Sequence, residues 1–169
     1  MTRENKAYLA GFFDADGCIT ASFSEESRIR VTARIAGRDD ALPLELEFLY
    51  GGHFGQEEKG TSIGEGKFWV WGVGGQRLIR FLEDIMPYLR LKRRRAELAL
   101  EIAKTAGYGL SIETKLHRTS MALEICLLTQ VGLSHPKETK TIKRLRRAIR
   151  KYNEDRTGTI RERQMSQKF

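Results

Sequence analysis

The sequence predicts an α+β fold: an αββαββα core with one four-stranded antiparallel sheet, helices on its apolar face, and extra C-terminal helices. Three observations predict it. Two pairs of segments alternate apolar and polar residues with period 2, each pair joined by a short polar or glycine-rich turn. A segment of helical period precedes, separates and follows these pairs. From Arg93 onward every periodic segment is helical.

The elements follow in order. Residues 6–13 read as a short helix, stopped by Asp16-Gly17. Ile19, Ala21 and Phe23 then alternate with Thr20, Ser22 and Ser24. Glu25-Glu26-Ser27 forms the expected turn, after which Ile29, Val31, Ala33 and Ile35 alternate with Arg28, Arg30, Thr32 and Arg34. This hairpin has one apolar face and one basic, hydroxyl-rich face. Residues 42–50 carry Leu42, Leu46 and Leu49 at helical spacing and end at Gly51-Gly52. Residues 54–59 and 67–73 make a second hairpin around a glycine-rich loop. Residues 76–86 form a helix with Leu78, Ile79, Leu82 and Ile85 inward, closed by Pro87. Residues 93–105, 116–131 and 137–153 are the later helices; the last has Ile142, Leu145, Ile149 and Tyr152 as its apolar stripe. Past Glu154 the pattern fades. Residues 1–153 are therefore expected to form one domain and residues 154–169 a basic, mobile tail. Helices cover one face of the sheet, which leaves the other to water or a ligand.

A chain of 169 residues is long enough for one compact domain with a substantial core. It contains no apolar run long enough for a membrane span and no apolar segment after the charged N-terminus that would read as a signal peptide. Cys18 and Cys126 are too few and too scattered for a disulfide framework or a zinc site. Reduced packing cysteines suit an intracellular compartment. The net charge is +8, and all of that surplus lies in residues 137–169, with 12 Lys/Arg against 4 Asp/Glu. Residues 1–136 carry 18 of each sign. Such a patch points to a polyanion, a solvated tail being the plain alternative. Arginine outnumbers lysine by 19 to 11, and its fork suits phosphate oxygens and guanine edges.

The segment Leu9-Ala-Gly-Phe-Phe-Asp-Ala-Asp-Gly17 concentrates the chemistry. Ala7, Ala10 and Gly11 are small, and Ala7 and Gly11 are four residues apart, so two such helices could approach with backbones nearly touching. Asp14 and Asp16 fall at the helix end. Two copies crossing there would bring acids together, an arrangement that is costly unless a cation sits among them. Hard oxygen ligands of this kind suit Mg²⁺ or Mn²⁺. Taken alone, Asp16-Gly17 would read as an ordinary turn.

This segment resembles the signature of the LAGLIDADG homing endonucleases, and the likeness extends over about residues 6–106. A second stretch, Pro87-Tyr-Leu-Arg-Leu-Lys92, resembles the family segment that carries a basic active-site residue, which falls on Lys92. The run Lys92-Arg-Arg-Arg95 is odd at a helix start, where the dipole disfavours cations, and it suggests phosphate contact that would include Arg93. One family position departs from the pattern. A glutamine common at the end of the second strand is Gly37 here, so a side chain that orders water near the metal is absent, and Arg38 or a neighbouring acid is the candidate to compensate.

The resemblance implies site-specific, metal-dependent hydrolysis of double-stranded DNA across the minor groove, leaving short 3′ overhangs. It implies an intron- or intein-associated enzyme with Mg²⁺ as cofactor and Mn²⁺ able to substitute. Asp16 would be the direct carboxylate ligand, the Ala15 carbonyl a second protein oxygen, and Lys92 would offset charge on the phosphate. Asp14 is expected to orient the helix end. One motif per chain implies a homodimer meeting through Ala7, Ala10, Gly11 and Asp14, and hence a pseudo-palindromic target. A β-ribbon can enter the major groove, so base reading would fall to Thr20, Ser22, Ser24, Arg28, Arg30, Thr32 and Arg34, with His53, Glu57 and Lys59 from the third strand. Alternation puts Trp69 and Trp71 together on one face, and a core position for both is the plain alternative, but family register sends them, with Lys67, to the DNA face. Lys140, Lys143, Arg144 and Arg147 would grip phosphates. The alternatives are an RNA-binding intron maturase and a non-cleaving DNA-binding protein of the same fold; the intact Asp16 favours the nuclease.

Overall fold

The structure, a computed structural model, describes residues 1–24, 28–61, 64–131 and 136–166, with side chains at 59–61, 64–66 and 159–166 left aside. The expected turn at Glu25-Glu26-Ser27 lies outside the described residues. Helix α1 (Arg3–Asp16) starts on Thr2, whose hydroxyl accepts the Asn5 amide at 3.3 Å. It runs further than the sequence suggested, so that Asp14 and Asp16 belong to its last turn. It stops at Gly17, where a Cβ would lie only 2.2 Å from the Phe13 ring.

Strands β1 (Cys18–Phe23) and β2 (Ile29–Gly37) pair antiparallel, with Ala21 opposite Val31 and Cys18 opposite Arg34. Helix α2 (Ala41–Tyr50) follows, then β3 (His53–Thr61) and β4 (Gly64–Gly74). The sheet order is β1-β2-β4-β3, so both hairpins meet at β2 and β4. Helices α3 (Gly75–Ile85), α4 (Arg93–Lys104), α5 (Ile112–Leu128) and α6 (Lys140–Ser166) complete the chain, with a 3₁₀ turn at Met86–Tyr88.

The core lies between the sheet and the helices. Ile19, Val31, Ala33, Ile35 and Val73 from the sheet meet Leu9, Phe13, Leu46, Leu78, Phe81, Leu82 and Ile102 from the helices. At its centre the Phe81 ring takes Phe13, Tyr50 and Trp71 edge-on, with centroids 4.9–5.3 Å apart. A polar tie runs along its rim: the Asp84 carboxylate accepts from Lys6 Nζ at 2.5 Å and Tyr50 Oη at 2.9 Å. Burial, then this contact with Asp84, pushes the Tyr50 pKa up; burial of Asp84 is outweighed by the same bonds, which hold its pKa down.

Two expectations are corrected here. Trp71 is fully buried on the helix side of the sheet, because it pairs with Ile35 while Val73 pairs with Ala33. Its Nε1 donates to the Gly51 carbonyl at 2.8 Å, across the Gly51-Gly52 turn whose positive φ values (66° and 112°) suit glycine. Trp69 shares that face and stacks on Phe54 at 5.1 Å. Lys67 has the same strand parity and pairs with Glu58 at 3.7 Å. None of the three shares the strand parity of Arg34 and Glu57; Phe68 and Val70 do, Val70 being buried. The second correction concerns the length of the last helix, which continues to Ser166 instead of ending at Asn153. An established helix propagates cheaply, and Gly158 is the only strong breaker on the way.

Candidate active site and nucleic-acid interface

The end of α1 is locked to the segment before α4. The Asp14 carboxylate accepts three consecutive backbone amides, those of Arg90 at 2.6 Å, Leu91 at 3.1 Å and Lys92 at 2.9 Å. In return Lys92 Nζ donates to the carbonyls of Asp14 and, at 3.3 Å, Ala15. This explains the cationic start of α4. Lys92 is the N-cap residue, but its ammonium leaves that helix and sits at the C-terminal end of α1, where the dipole favours a cation. The other two arginines of the run that pair do so with acids, Arg93 with Glu97 at 3.4 Å and Arg94 with Glu124 at 2.8 Å.

The electrostatics follow. Burial alone would raise the Asp14 pKa, but the three amides and Lys92 outweigh it and hold the carboxyl ionised. Lys92 is only 8% exposed; burial and Arg95 lower its pKa, against the pull of Asp14, Cys18 and Asp16. Lysine has three N–H donors, so one is left after the two carbonyls.

Asp16 stands apart in this cluster. It is exposed, and among the described residues no hydrogen bond or ion pair engages its carboxylate. An unengaged carboxylate beside the Ala15 carbonyl fits a hard divalent cation, which takes about six oxygens. One chain supplies a minority of them: among the described residues no three His, Cys, Asp or Glu side chains gather around an ion position. The remainder would come from a second α1 end, phosphate and water.

The sheet's open face carries most of the reading set. Thr20, Ser22, Arg28, Arg30, Thr32 and His53 are exposed on it, with Ser24, Arg34 and Glu57 half-buried. Their mutual contacts are few and open to solvent. Thr20 and Thr32 hydroxyls lie 3.0 Å apart, the Ser24 hydroxyl accepts the Arg28 amide at 3.1 Å, and Arg34 pairs with Glu57 at 2.5 Å. Lys59 falls at a matching strand position, but its side chain lies outside the described residues. The Arg38 guanidinium lies over the Phe68 ring of β4 at 6.0 Å. Gly37 closes β2 opposite Trp69, and a Cβ there would have its nearest neighbour, the Asp39 carbonyl, at 3.4 Å. On α6, Lys140, Lys143 and Arg147 are exposed, Arg144 is half-buried, and Ile142 and Leu145 anchor the helix in the core.

The small-residue face of α1 is open in part. Ala7 and Gly11 are exposed, and nothing lies within 4 Å of a Cβ built at Gly11. Ala10 is fully buried in the chain's own core, so its side chain is unavailable to a partner; one residue along a helix turns the side chain by about 100°. Asp14 is likewise committed within the chain, its carboxylate spent on three amides. What sequence reasoning missed are exposed apolar residues: Tyr8 on α1 (70% exposed), Leu91 beside the α1 end (78%) and Phe48 on α2 (89%). Tyr8 and Phe48 stand next to core residues in the sequence, so apolar character alone does not show that they face outward.

An αββαββα chain with an open polar sheet face, and with a free acid at the end of a small-residue helix, has the LAGLIDADG architecture. Comparison with known proteins agrees. No protein-family model matches the chain. DNA endonuclease I-CvuI of Chlorella vulgaris is 34% identical over 132 residues, covering 73% of this chain and 78% of the relative. The crystal structure of homing endonuclease I-CvuI with its target superposes with a TM-score of 0.66 at 26% identity, covering 89% of this chain and 96% of that one. The archaeal intron-encoded homing endonuclease I-Vdi141I, complexed with DNA, shares the fold at a TM-score of 0.63 and 20% identity, over 89% and 97% of the two chains. The chain belongs to the LAGLIDADG homing endonuclease family, in its single-motif form.

Proposed function

We propose that the chain is a site-specific DNA endonuclease that works as a homodimer on a pseudo-palindromic duplex site, cutting both strands with a divalent cation, Mg²⁺ by preference and Mn²⁺ in substitution. The observation that carries the reading is the single unengaged carboxylate, Asp16, at a helix end otherwise fully committed to internal hydrogen bonds. The I-CvuI crystal structure with its target was obtained in the presence of Ca, which supports a divalent cation at the site.

Asp16 and the Ala15 carbonyl would hold the cation, which when bound supplies Lewis-acid polarisation of the scissile phosphate and an easier ionisation of water. The chain's own residues do the rest. Asp14 fixes the α1 end against the Arg90–Lys92 backbone, so the position of Asp16 is set before DNA arrives. Lys92, already anchored, directs its remaining N–H and its charge toward the phosphate and offsets the negative charge that grows there. The reading face exchanges its weak contacts, such as Arg34 with Glu57, for base edges. The exposed strip of Ala7 and Gly11, with exposed Tyr8 on the same helix, supports pairing of two α1 helices. Nothing among the described residues is long and apolar enough to cross a membrane as a helix.

The test is Asp16→Asn, assayed with Mg²⁺ on plasmid carrying sites recovered by cleavage of a randomised library. Losing the carboxylate ligand should slow cleavage by roughly a thousandfold while duplex affinity stays within a few-fold. Cutting at the parental rate would refute the assignment.

A further inference from the structure

A cavity of about 550 Å³ lies far from the α1 end, between the outer part of the first hairpin and the α4–α5 connection. Arg28, Arg30, Lys115, Arg118 and Tyr152 line it, and among the described residues no Asp or Glu does. Arg118 makes it a built site. It is 6% exposed, and its Nη1 donates to the Ile102 carbonyl at 2.8 Å and the Thr105 hydroxyl at 3.1 Å, which fixes the guanidinium at the C-terminal end of α4. Its Nε and Nη2 bond to none of the described residues, and neither is sealed from the cavity's solvent. Burial depresses its pKa, and among the described residues no carboxylate bonds to it. A buried cation in that condition is costly unless an anion approaches it.

The position suggests which anion. Arg28 and Arg30 belong both to the cavity and to the start of β2, the end of the reading face remote from Asp16. A neighbouring groove of about 320 Å³, lined by Phe23, Arg147 and Lys151 and sharing Tyr152, continues the positive surface along α6. We propose that the cavity is a phosphate pocket for a backbone phosphodiester of the DNA flanking the stretch read by the sheet, with Arg118 and Lys115 as its phosphate-binding residues. The proposal rests on the endonuclease reading. It adds a contact that sets how far beyond the cut the bound duplex must extend.

The experiment uses the full chain with two duplexes carrying the library-selected site, one with long flanks and one trimmed to the base-read stretch. Lys115→Ala, at an exposed position, and Arg118→Met, which keeps the packing volume, should each bind the flanked duplex roughly tenfold more weakly, with the salt slope reduced by about 1. Both should match the parent on the trimmed duplex. Lys115→Ala binding both duplexes as the parent does would overturn the proposal. If inorganic phosphate raises the parent's Tm but not that of Lys115→Ala, while flank affinity is unchanged, the pocket serves free phosphate and the assignment to DNA is wrong. A parent that binds and cuts neither duplex removes the endonuclease reading itself.

Discussion

The α1 end and the sheet's open face are neighbours built on opposite plans. At the α1 end, Asp14 and Lys92 are held by bonds within the chain, and only Asp16 is left over. On the open face the contacts are exposed: two threonine hydroxyls side by side, and an Arg34–Glu57 pair with both side chains 39% accessible. Exposed pairs contribute little and exchange readily for other partners. Catalysis needs positions fixed to fractions of an ångström, whereas recognition needs groups free to be recruited by a base edge. The difference indicates which residues evolution can change to alter a target without touching the chemistry.

The largest expected effect on this contrast comes from Lys92→Met. It keeps the aliphatic volume of a residue 8% exposed but removes the ammonium. Cleavage should fall by about 10²–10³-fold with DNA affinity nearly intact, measured as single-turnover rate against filter-binding Kd. Affinity lost in proportion to rate would make Lys92 a simple phosphate anchor.

Asp14→Asn should act on stability first. Its carboxylate accepts three amides, and hydrogen bonds to charged groups contribute about 1.5–3 kcal/mol, so a loss of about 2 kcal/mol is expected in urea unfolding. The sign with pH is set by the depressed pKa: the contribution is complete above the unfolded value, about 4, and is lost as pH falls through the lower folded value. The gap between parent and Asp14→Asn should therefore close in acid; a constant gap would show that the clamp is not ionic.

Gly37→Gln carries the smallest effect. A Cβ there meets only the Asp39 backbone, its carbonyl at 3.4 Å, so the variant should fold, and a polar group at the end of β2 should raise the cleavage rate a few-fold. Unchanged rate with normal folding would mean that the missing polar group is immaterial in this chain.

Much of this was legible in the sequence. The first hairpin declared its two faces because its residues divide cleanly into apolar and polar sets. β4 did not: Phe68 and Val70 on one parity and Trp69 and Trp71 on the other are both apolar, so alternation shows a strand but not which side is inward. Pairing of Ile35 with Trp71 decided it, and that is tertiary information. The Asp14 clamp joins residues 76–78 positions apart and leaves no local trace. Ala10 was misassigned because small residues mark a close-packing helix without saying whether the neighbour is internal; here it is the core. Arg118 escaped notice for the opposite reason, since a buried arginine within a polar helix looks like any solvated one.

On the proposed reading one chain holds half of a catalytic centre, completed when two α1 helices meet, and Gly11→Arg keeps the two halves apart. The position is exposed with nothing within 4 Å, so arginine is accommodated within one chain but blocks a close helix pair. Sedimentation with DNA, run beside plasmid cleavage, should find a folded monomer that makes no double-strand break. A Gly11→Arg monomer cutting both strands at the parental rate would contradict the account.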